Sequence, residues 1–158
     1  MGKYGYEYEM EYVTSYIATL SEPEVIGPVA ERLRLNVYVT GGTVDGSKLK
    51  GKILPAGADW LTIRTDGVGV LDARVTIQTE DDALMYAYYR GVADLGPDGY
   101  KNFLEGAPPP PDGISLRTNP WFQTAHPKYQ WMTRGLFLNV GKAYLDKGKV
   151  SYDTYQLK

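Results

Sequence analysis

The stretch from Gly57 to Gln78, GADWLTIRTDGVGVLDARVTIQ, restricts the possible folds more than any other part of the chain. Two runs of alternating side chains are separated by Asp66-Gly67, a dipeptide that tolerates the positive φ of a tight hairpin turn. In the second run, one apolar and one polar row alternate: Leu71, Ala73, Val75 and Ile77 against Asp72, Arg74, Thr76 and Gln78. Because successive strand residues point to opposite faces, the pattern predicts a β-hairpin with one apolar and one polar face.

Strands of the same kind recur along the whole chain. Residues 4–16 and 32–40 alternate in a similar way, and short runs bounded by Gly, Pro or Asp follow at 49–54, 84–91, 114–118, 136–140 and 150–157. The segment 98–105 fits one or two helical turns, with Asp98 as the N-cap. The chain has neither an internal repeat nor the βαβ alternation of a nucleotide-binding fold. We therefore predict an all-β fold: a single antiparallel β-barrel of about eight to ten strands with one short helix, formed by residues 1–158.

The polar faces of these strands favour a closed barrel over a two-sheet sandwich. They are also rich in aromatic residues, as the wall of a ligand-holding lumen is. The chain has 14 tyrosines and only 3 phenylalanines, which suggests a moderately polar interior because a buried Tyr hydroxyl needs a partner. We therefore expect the polar row at 72–78 to line the lumen, joined by Trp60 and Arg64 from the first strand of the hairpin.

Composition excludes several kinds of partner and site. With 17 basic and 19 acidic residues and a net charge of −2, the chain lacks the basic excess that a nucleic-acid partner requires. No cysteine and a single histidine argue against disulfides, thiolate sites and His-rich metal sites, so we predict no metal and no cofactor. The chain shows no signal peptide and no run of the ~20 apolar residues that a membrane span needs. A cytoplasmic location without a membrane partner is the expectation.

The candidate chemistry comes from the predicted lumen, because the sequence has no Walker loop, GxGxxG fingerprint, GxSxG elbow or HExxH motif. The predicted catalytic residues are Asp72, Arg74, Asp59 and Tyr88. The predicted substrate-binding residues are Trp60, Arg64, Tyr38, Tyr86, Arg90, Trp121, Tyr129 and Trp131. A carboxyl group in an apolar, aromatic lumen has a raised pKa and can act as a general acid or base near neutrality. An arginine or a tyrosine hydroxyl aimed at a carbonyl oxygen would stabilise an enolate.

Four of these residues also have a structural interpretation. Asp72 and Arg74 stand two apart on one strand face, where such pairs commonly form an ion pair that holds the register. Asp59 and Trp60 are also suited to capping a turn and filling a barrel end. The acidic run 80–82 is more typical of a solvated turn than of a metal site, and the prolines at 108–111 are typical of a stiff spacer.

Three functions are compatible with these features. The first is an isomerase, cyclase or lyase that acts by general acid-base chemistry on a small hydrophobic or aromatic intermediate of the polyketide, phenolic or terpenoid kind. The second is a carrier that binds such a molecule unchanged; it would need few charged groups in its lumen. The third is a structural unit whose tyrosine-rich N-terminal strand makes subunit contacts.

Four sequence blocks resemble the domain-of-unknown-function 3237 family, and together they extend over nearly the whole chain. They are TGGTVDGSKLKGKILPAGADW at 40–60, the DG and LDAR motifs within 66–74, YAYYRG at 86–91, and RTNPWFQT with YQW within 117–131. The resemblance implies a single-domain barrel of the lipocalin or allene-oxide-cyclase type that forms a homo-oligomer, a dimer or larger. By analogy with related barrels it suggests cofactor-free handling of small hydrophobic intermediates, an analogy at the level of the fold.

The chain departs from this family pattern at two places. Gln123 stands where the family often has an acid, and Met132-Thr133 stands where the family has Leu-Asn. If the family's acid serves chemistry, its role in this chain would fall to Asp59 or Asp72.

Overall fold

The strands form an antiparallel β-barrel in a computed structural model, which describes residues 2–30 and 32–158. Within these residues the strands are β1 (Met10–Leu20), β2 (Glu24–Val29), β3 (Arg32–Asp45), β4 (Gly51–Ile53), β5 (Ala58–Arg64), β6 (Val68–Thr79), β7 (Leu84–Asp94), β8 (Ile114–Gln123), β9 (Leu136–Tyr144) and β10 (Lys149–Leu157). Helix α1 spans Gly99–Leu104, and 3-10 helices span Pro127–Arg134 and Leu145–Lys147. The prediction of an antiparallel β-barrel with one short helix is confirmed. In the described part of the chain, no helix has the length and apolar character needed to cross a membrane.

The barrel closes through eight strand positions in the described residues. The order runs from β1 through β10, β9, β8, β7 and β6 to β4 and β5, then to β3, which pairs with β1. β4 pairs with residues 42–44 of β3 and β5 with residues 32–38, so β4 and β5 share one position between β3 and β6. β2 pairs with the first part of β3 and continues the line of β1. Closure satisfies the strand edges that an open sheet would expose.

The predicted hairpin at Asp66-Gly67 connects β5 and β6. Gly67 adopts a φ of +86° and its backbone N–H donates to the carbonyl oxygen of Arg64 at 3.0 Å. The turn sets a register in which Ala58 lies opposite Arg74 and Ile63 lies opposite Gly69. This register places the first residues of β5 beside the middle of β6.

The apolar rows of the strands face the barrel interior, opposite to our prediction. On β6, Leu71, Ala73, Val75 and Ile77 are buried, whereas the polar row at 72–78 is only partly buried and lies on the outer surface. Burying apolar area is favourable by about 25 cal/mol per Å², while an unpaired polar group inside the barrel would have to be desolvated. The prediction that the polar row lines the lumen is wrong. Because the side-chain period is two, this error exchanges the faces of the whole strand.

The two ends of the barrel are filled differently. One end is plugged by an apolar core in which Phe137 is fully buried and packs edge-to-face on Phe122, with ring centroids 5.1 Å apart. Tyr129 and Met132 from the 3-10 helix complete this plug. At the other end, Phe103 of α1 packs with Leu33, Leu35 and Ile63, so that α1 covers this end. The cavity in the barrel interior lies on the side of α1, with Phe103 in its wall.

The N-terminal strand is shorter than predicted. The alternating run at 4–16 enters the sheet only at Met10, where β1 begins, although the backbone of Glu9 already pairs with that of Lys158. Tyr4, Tyr6 and Tyr8 precede β1 with 76–82% of their surface exposed. Tyr16, by contrast, is buried inside the barrel.

Candidate active site in the barrel lumen

An apolar cavity of about 80 Å³ occupies the barrel interior next to α1. Aliphatic side chains from eight strands and Phe103 from α1 form most of its wall. Three wall residues contribute polar groups, namely Asp59 from β5, Tyr89 from β7 and Tyr152 from β10. Among the described wall residues, Asp59 is the one that carries a carboxyl group. The cavity is therefore a small apolar chamber with one acid and two phenols.

Asp59 reaches the cavity because β5 presents Asp59, Leu61 and Ile63 to the interior. The turn before it requires glycine: Gly57 has a φ of +94°, and a Cβ there would lie 2.1 Å from the carbonyl oxygen of Arg74. This close approach holds the start of β5 against β6. Asp59 Oδ1 then accepts a hydrogen bond of 2.9 Å from the backbone N–H of the neighbouring Asp72.

Burial is the main influence on the ionisation of Asp59. It raises the pKa of this carboxyl from 3.8 to about 6, opposed by the hydrogen bond from the Asp72 N–H. The negative charge of Asp72 raises this pKa a little further, and the positive charge of Arg34 lowers it. At pH 7 the group is mostly a carboxylate, and near pH 6 it is about half protonated. An acid with this pKa can accept and return a proton near neutrality.

Tyr152 lies in a cluster of three buried tyrosines. Its ring centroid is 5.0 Å from that of Tyr16 and 6.0 Å from that of Tyr89. The Tyr152 hydroxyl is buried and has no hydrogen-bond partner within the described residues; Thr118 is close enough to lower its pKa slightly but does not complete a hydrogen bond of normal geometry. An unsatisfied buried hydroxyl costs about 1–3 kcal/mol.

The three tyrosine hydroxyls remain protonated at neutral pH. Burial raises the pKa of Tyr16, Tyr89 and Tyr152 above the ordinary value of 10.0. The negative charge of Asp59 raises the pKa of Tyr89 further, and Tyr89 and Asp59 do the same for Tyr152. Because the neutral phenol is favoured, all three hydroxyls keep a donor proton and do not act as bases. Of the three tyrosines, Tyr89 and Tyr152 line the cavity.

The buried side-chain amide of Asn139 forms hydrogen bonds next to the tyrosine cluster. Asn139 Nδ2 donates to the hydroxyl of Tyr16 at 2.9 Å and to that of Thr118 at 3.1 Å. Its Oδ1 accepts a hydrogen bond of 2.7 Å from the Thr154 hydroxyl. The network links β1, β8, β9 and β10 below the cavity, so the ring of Tyr16 is fixed from one side.

The other predicted catalytic residues lie outside the lumen. Asp72 and Arg74 form an ion pair of 3.2 Å on the outer face of β6, each with 35–41% of its side chain exposed. The guanidinium of Arg74 also stacks on the ring of Tyr88, 4.6 Å from its centroid. This arrangement matches the structural interpretation of the Asp72–Arg74 pair. Of the four predicted catalytic residues, the described structure brings Asp59 alone to the cavity.

The first strand of the hairpin also directs its aromatic residue outward. Trp60 packs edge-to-face on Tyr38 with ring centroids 5.9 Å apart, and the Tyr38 hydroxyl donates to Glu24 at 3.1 Å. Arg64 pairs with Asp66 beside the turn. The prediction that Trp60 and Arg64 line the lumen is wrong, because both are exposed on the outer surface.

The remaining predicted binding residues are also absent from the cavity wall. Tyr86, Arg90 and Trp121 are exposed on the outer face of β7 and β8, with Trp121 62% exposed. Tyr129 and Trp131 belong to the 3-10 helix that plugs the opposite end of the barrel. The Tyr129 hydroxyl donates to Asp81 at 2.8 Å, so it is engaged in a local contact at that end.

The sequence prediction names none of Tyr16, Tyr89 and Tyr152 as site residues. On β7 it assigns Tyr86, Tyr88 and Arg90 to the site, which leaves Tyr89 on the opposite face. A usable signal was present. Tyr89 alternates with Ala87 and Met85, and Tyr152 alternates with Val150, so each places a hydroxyl in an apolar row. Asp59 likewise interrupts the apolar row formed with Leu61 and Ile63. A polar group on an apolar row of a barrel strand indicates a lumen residue.

Comparison with known proteins places the chain among uncharacterised relatives. A family model described as "Protein of unknown function (DUF3237)" matches residues 8–157, which confirms the resemblance seen in the sequence. A UPF0311 protein from Rhodopseudomonas palustris is 33% identical over 150 residues, covering 94% of this chain and 96% of that relative.

Solved structures with the same fold come from several organisms. A protein with unknown function from Clostridium acetobutylicum has a TM-score of 0.86 at 29% identity, over 96% of this chain and all of that one. A beta-barrel like protein from Acinetobacter baumannii has a TM-score of 0.84 at 26% identity, over 99% of this chain and 100% of that chain. A structure described as an enzyme from Penicillium herquei has a TM-score of 0.73 at 18% identity over 100% of both chains, a likeness of fold alone.

Proposed function

We propose that this chain, which belongs to the DUF3237 family, is an enzyme that uses its own side chains for acid-base catalysis inside the barrel. Its substrate would be a small hydrophobic or aromatic molecule that carries a carbonyl or phenolic oxygen, and its reaction an isomerisation, a cyclisation or an elimination. The observation that carries the proposal is that Asp59 and two tyrosines, Tyr89 and Tyr152, line one cavity with otherwise apolar walls.

Asp59 would be the general base. Its carboxylate removes a proton from the carbon next to the substrate carbonyl, and the electron pair of the broken C–H bond moves to the oxygen to form an enolate. Return of the proton to another carbon gives the isomer, and loss of a leaving group or attack on a second carbon gives elimination or ring closure. A positioned base of this kind contributes typically 10²–10⁴-fold to the rate.

Tyr152 and Tyr89 would hold the oxygen on which the negative charge develops. Both line the cavity, and burial raises the pKa of both hydroxyls, so each keeps its proton at neutral pH. Donors that are already oriented toward a developing oxyanion typically contribute about 10²–10³-fold each. The free donor of Tyr152 suits this role best, because a ligand oxygen would satisfy it.

The energetic cost of Asp59 supports a functional role. A buried carboxyl whose pKa is raised destabilises the folded protein at neutral pH, and such groups concentrate at functional sites. Aliphatic wall residues would exclude water, which strengthens the interaction between the carboxylate and the substrate. The enzyme from Penicillium herquei supports the idea only by analogy of fold.

A carrier function is the alternative, and the sparse polarity of the cavity favours it. With Asp59 as the carboxyl in the described wall, the chamber also resembles a site that binds an apolar guest through one or two hydrogen bonds. A carrier and an enzyme differ in whether the bound molecule exchanges or moves a proton.

Hydrogen–deuterium exchange separates these two functions. The protein is incubated in D₂O with a panel of small aromatic ketones such as acetophenone, and deuterium at the carbon next to the carbonyl is followed by NMR. We expect exchange above the buffer rate that increases with pH through about 6, as Asp59 ionises. Asp59→Asn should abolish it, whereas Asp72→Asn, on the outer face, should retain it. Saturable binding of the ketones without exchange would favour the carrier, and equal exchange in Asp59→Asn would refute the assigned base.

A further inference from the structure

We infer that a vestibule at the mouth of the lumen is a second subsite, which binds an uncharged apolar tail of the same ligand whose oxygen-bearing end lies at Asp59. This depression has a volume of about 560 Å³ and lies between β2, α1 and the segment that precedes β8. Because it continues the cavity of the proposed reaction, the inference rests on the proposed function and extends it to the shape of the substrate.

Volume is the first reason for the assignment. The lumen alone offers about 80 Å³, whereas sites for small organic ligands typically measure about 300–1,000 Å³. The vestibule falls within that range. A ligand of ordinary size would therefore place one end in the lumen and the rest in the vestibule.

Continuity is the second reason. Six residues line both the lumen and the vestibule, so the two spaces meet at a shared throat: Leu20, Pro23, Leu95, Phe103, Ile114 and Leu145. All six are apolar, which suits the passage of a hydrocarbon chain. Phe103 projects from α1, a helix of six residues flanked by Gly96 and Gly106, whose φ values are +82° and +68°.

The walls of the vestibule indicate the chemistry of the tail. Val25 and the prolines at 108–110 supply apolar surface, and proline offers no backbone N–H that an apolar guest would leave unsatisfied. The charged groups among the described lining residues are Glu22 and Asp146, both acidic. An anionic tail, such as a fatty-acid carboxylate, would therefore be disfavoured relative to an uncharged alkyl or isoprenoid tail.

A series of 4-alkylphenols tests the subsite, with affinities measured by isothermal titration calorimetry at pH 7.5. We expect the phenol hydroxyl to bind near Asp59 and Tyr152 and the alkyl chain to extend toward the vestibule. Each buried methylene should improve the affinity by up to about fourfold, so 4-hexylphenol should bind on the order of a hundredfold more tightly than 4-ethylphenol. Replacing the terminal methyl group by a carboxylate should weaken binding.

A matched pair of variants on β2 tests whether the dependence of affinity on chain length arises in the vestibule. Val25 lines the vestibule and Val29, on the same strand, does not; both are exposed, so both variants should fold. Val25→Glu should reduce the advantage of 4-hexylphenol over 4-ethylphenol to below about tenfold, because the tail would meet a charge. Val29→Glu should leave the advantage unchanged. Circular dichroism melts verify that both variants are folded.

The outcomes separate this inference from the proposed function. Affinity independent of chain length, equal effects of the two β2 variants, or no saturable binding by any alkylphenol would overturn the subsite. A preserved dependence on chain length together with unchanged phenol binding and unchanged ketone exchange in Asp59→Asn would leave the subsite standing and remove the proposed catalyst.

Discussion

Replacing Asp59 by Asn is expected to stabilise the protein at neutral pH, although it removes the proposed catalytic base. Burial raises the pKa of Asp59 from 3.8 to about 6. At about 1.36 kcal/mol per pKa unit, ionised Asp59 lowers the free energy of unfolding by about 3 kcal/mol. Asparagine has a similar shape, and its carbonyl oxygen can keep the hydrogen bond from the Asp72 N–H. The variant should therefore gain up to about 3 kcal/mol.

The gain should depend on pH in a defined window. Because the pKa of Asp59 is higher in the folded than in the unfolded protein, the folded state binds the proton more tightly. Below pH 3.8 the group is protonated in both states and no penalty exists. The penalty grows between pH 3.8 and about 6 and is complete above that range. The stability difference between the variant and the wild type should follow the same course.

Urea denaturation followed by tryptophan fluorescence, at several pH values from 4.5 to 8, measures this difference. Asp72→Asn is the matched control, because it removes a half-exposed carboxylate from an outer-face ion pair with Arg74 and should cost at most about 1 kcal/mol. A difference that does not change with pH, or a loss of stability in Asp59→Asn at pH 8, would refute the assignment of Asp59 as a desolvated lumen acid.

Four further outcomes are expected. Tyr152→Phe should raise the free energy of unfolding by about 1–3 kcal/mol in urea titrations, because it removes a buried hydroxyl that has no partner in the described structure, and should weaken binding of 4-ethylphenol. Tyr16→Phe, which loses the hydrogen bond from Asn139, should instead cost about 1–2 kcal/mol in the same titrations. Asn139→Ala should cost about 2–4 kcal/mol, since three buried hydroxyls lose their partner, and a loss under 1 kcal/mol would contradict the network. Removal of residues 2–8 should leave a folded barrel, because these residues precede β1. Loss of the cooperative thermal transition in circular dichroism would show that this tyrosine-rich segment is part of the fold. Sedimentation of the shortened chain tests the predicted role of the segment in subunit contacts.

The strands and the hairpin were predictable from the sequence because apolar and polar residues alternate along the strands and the turn has a characteristic dipeptide. The row from Leu71 to Ile77 identifies a strand without reference to the rest of the chain, since a period of two is a local property. The Asp66-Gly67 turn identified the hairpin in the same local way. By contrast, the sharing of one barrel position by β4 and β5 depends on where each meets β3, which lies far away in the sequence.

The candidate site was predictable only in part. Asp59 lies in the cavity wall, whereas the polar row around Arg74, predicted for the lumen because of its hydrogen-bonding groups, lies on the outer surface. Choosing between the faces requires the direction in which the strand curves. That direction is set by the whole barrel, where apolar area is buried against strands distant in sequence.

By itself, the amino-acid sequence determined that this chain forms a barrel of amphipathic strands, because the alternation and the turns act over a few residues. The tertiary structure alone decided which row faces inward and brought Asp59 of β5 and Tyr152 of β10 to the wall of one cavity. These two residues are more than half the chain apart, and closure of the ring of strands is the physical event that brings them together. The ionisation of Asp59 follows from that closure, since a carboxyl on an open sheet would stay hydrated and keep its ordinary pKa.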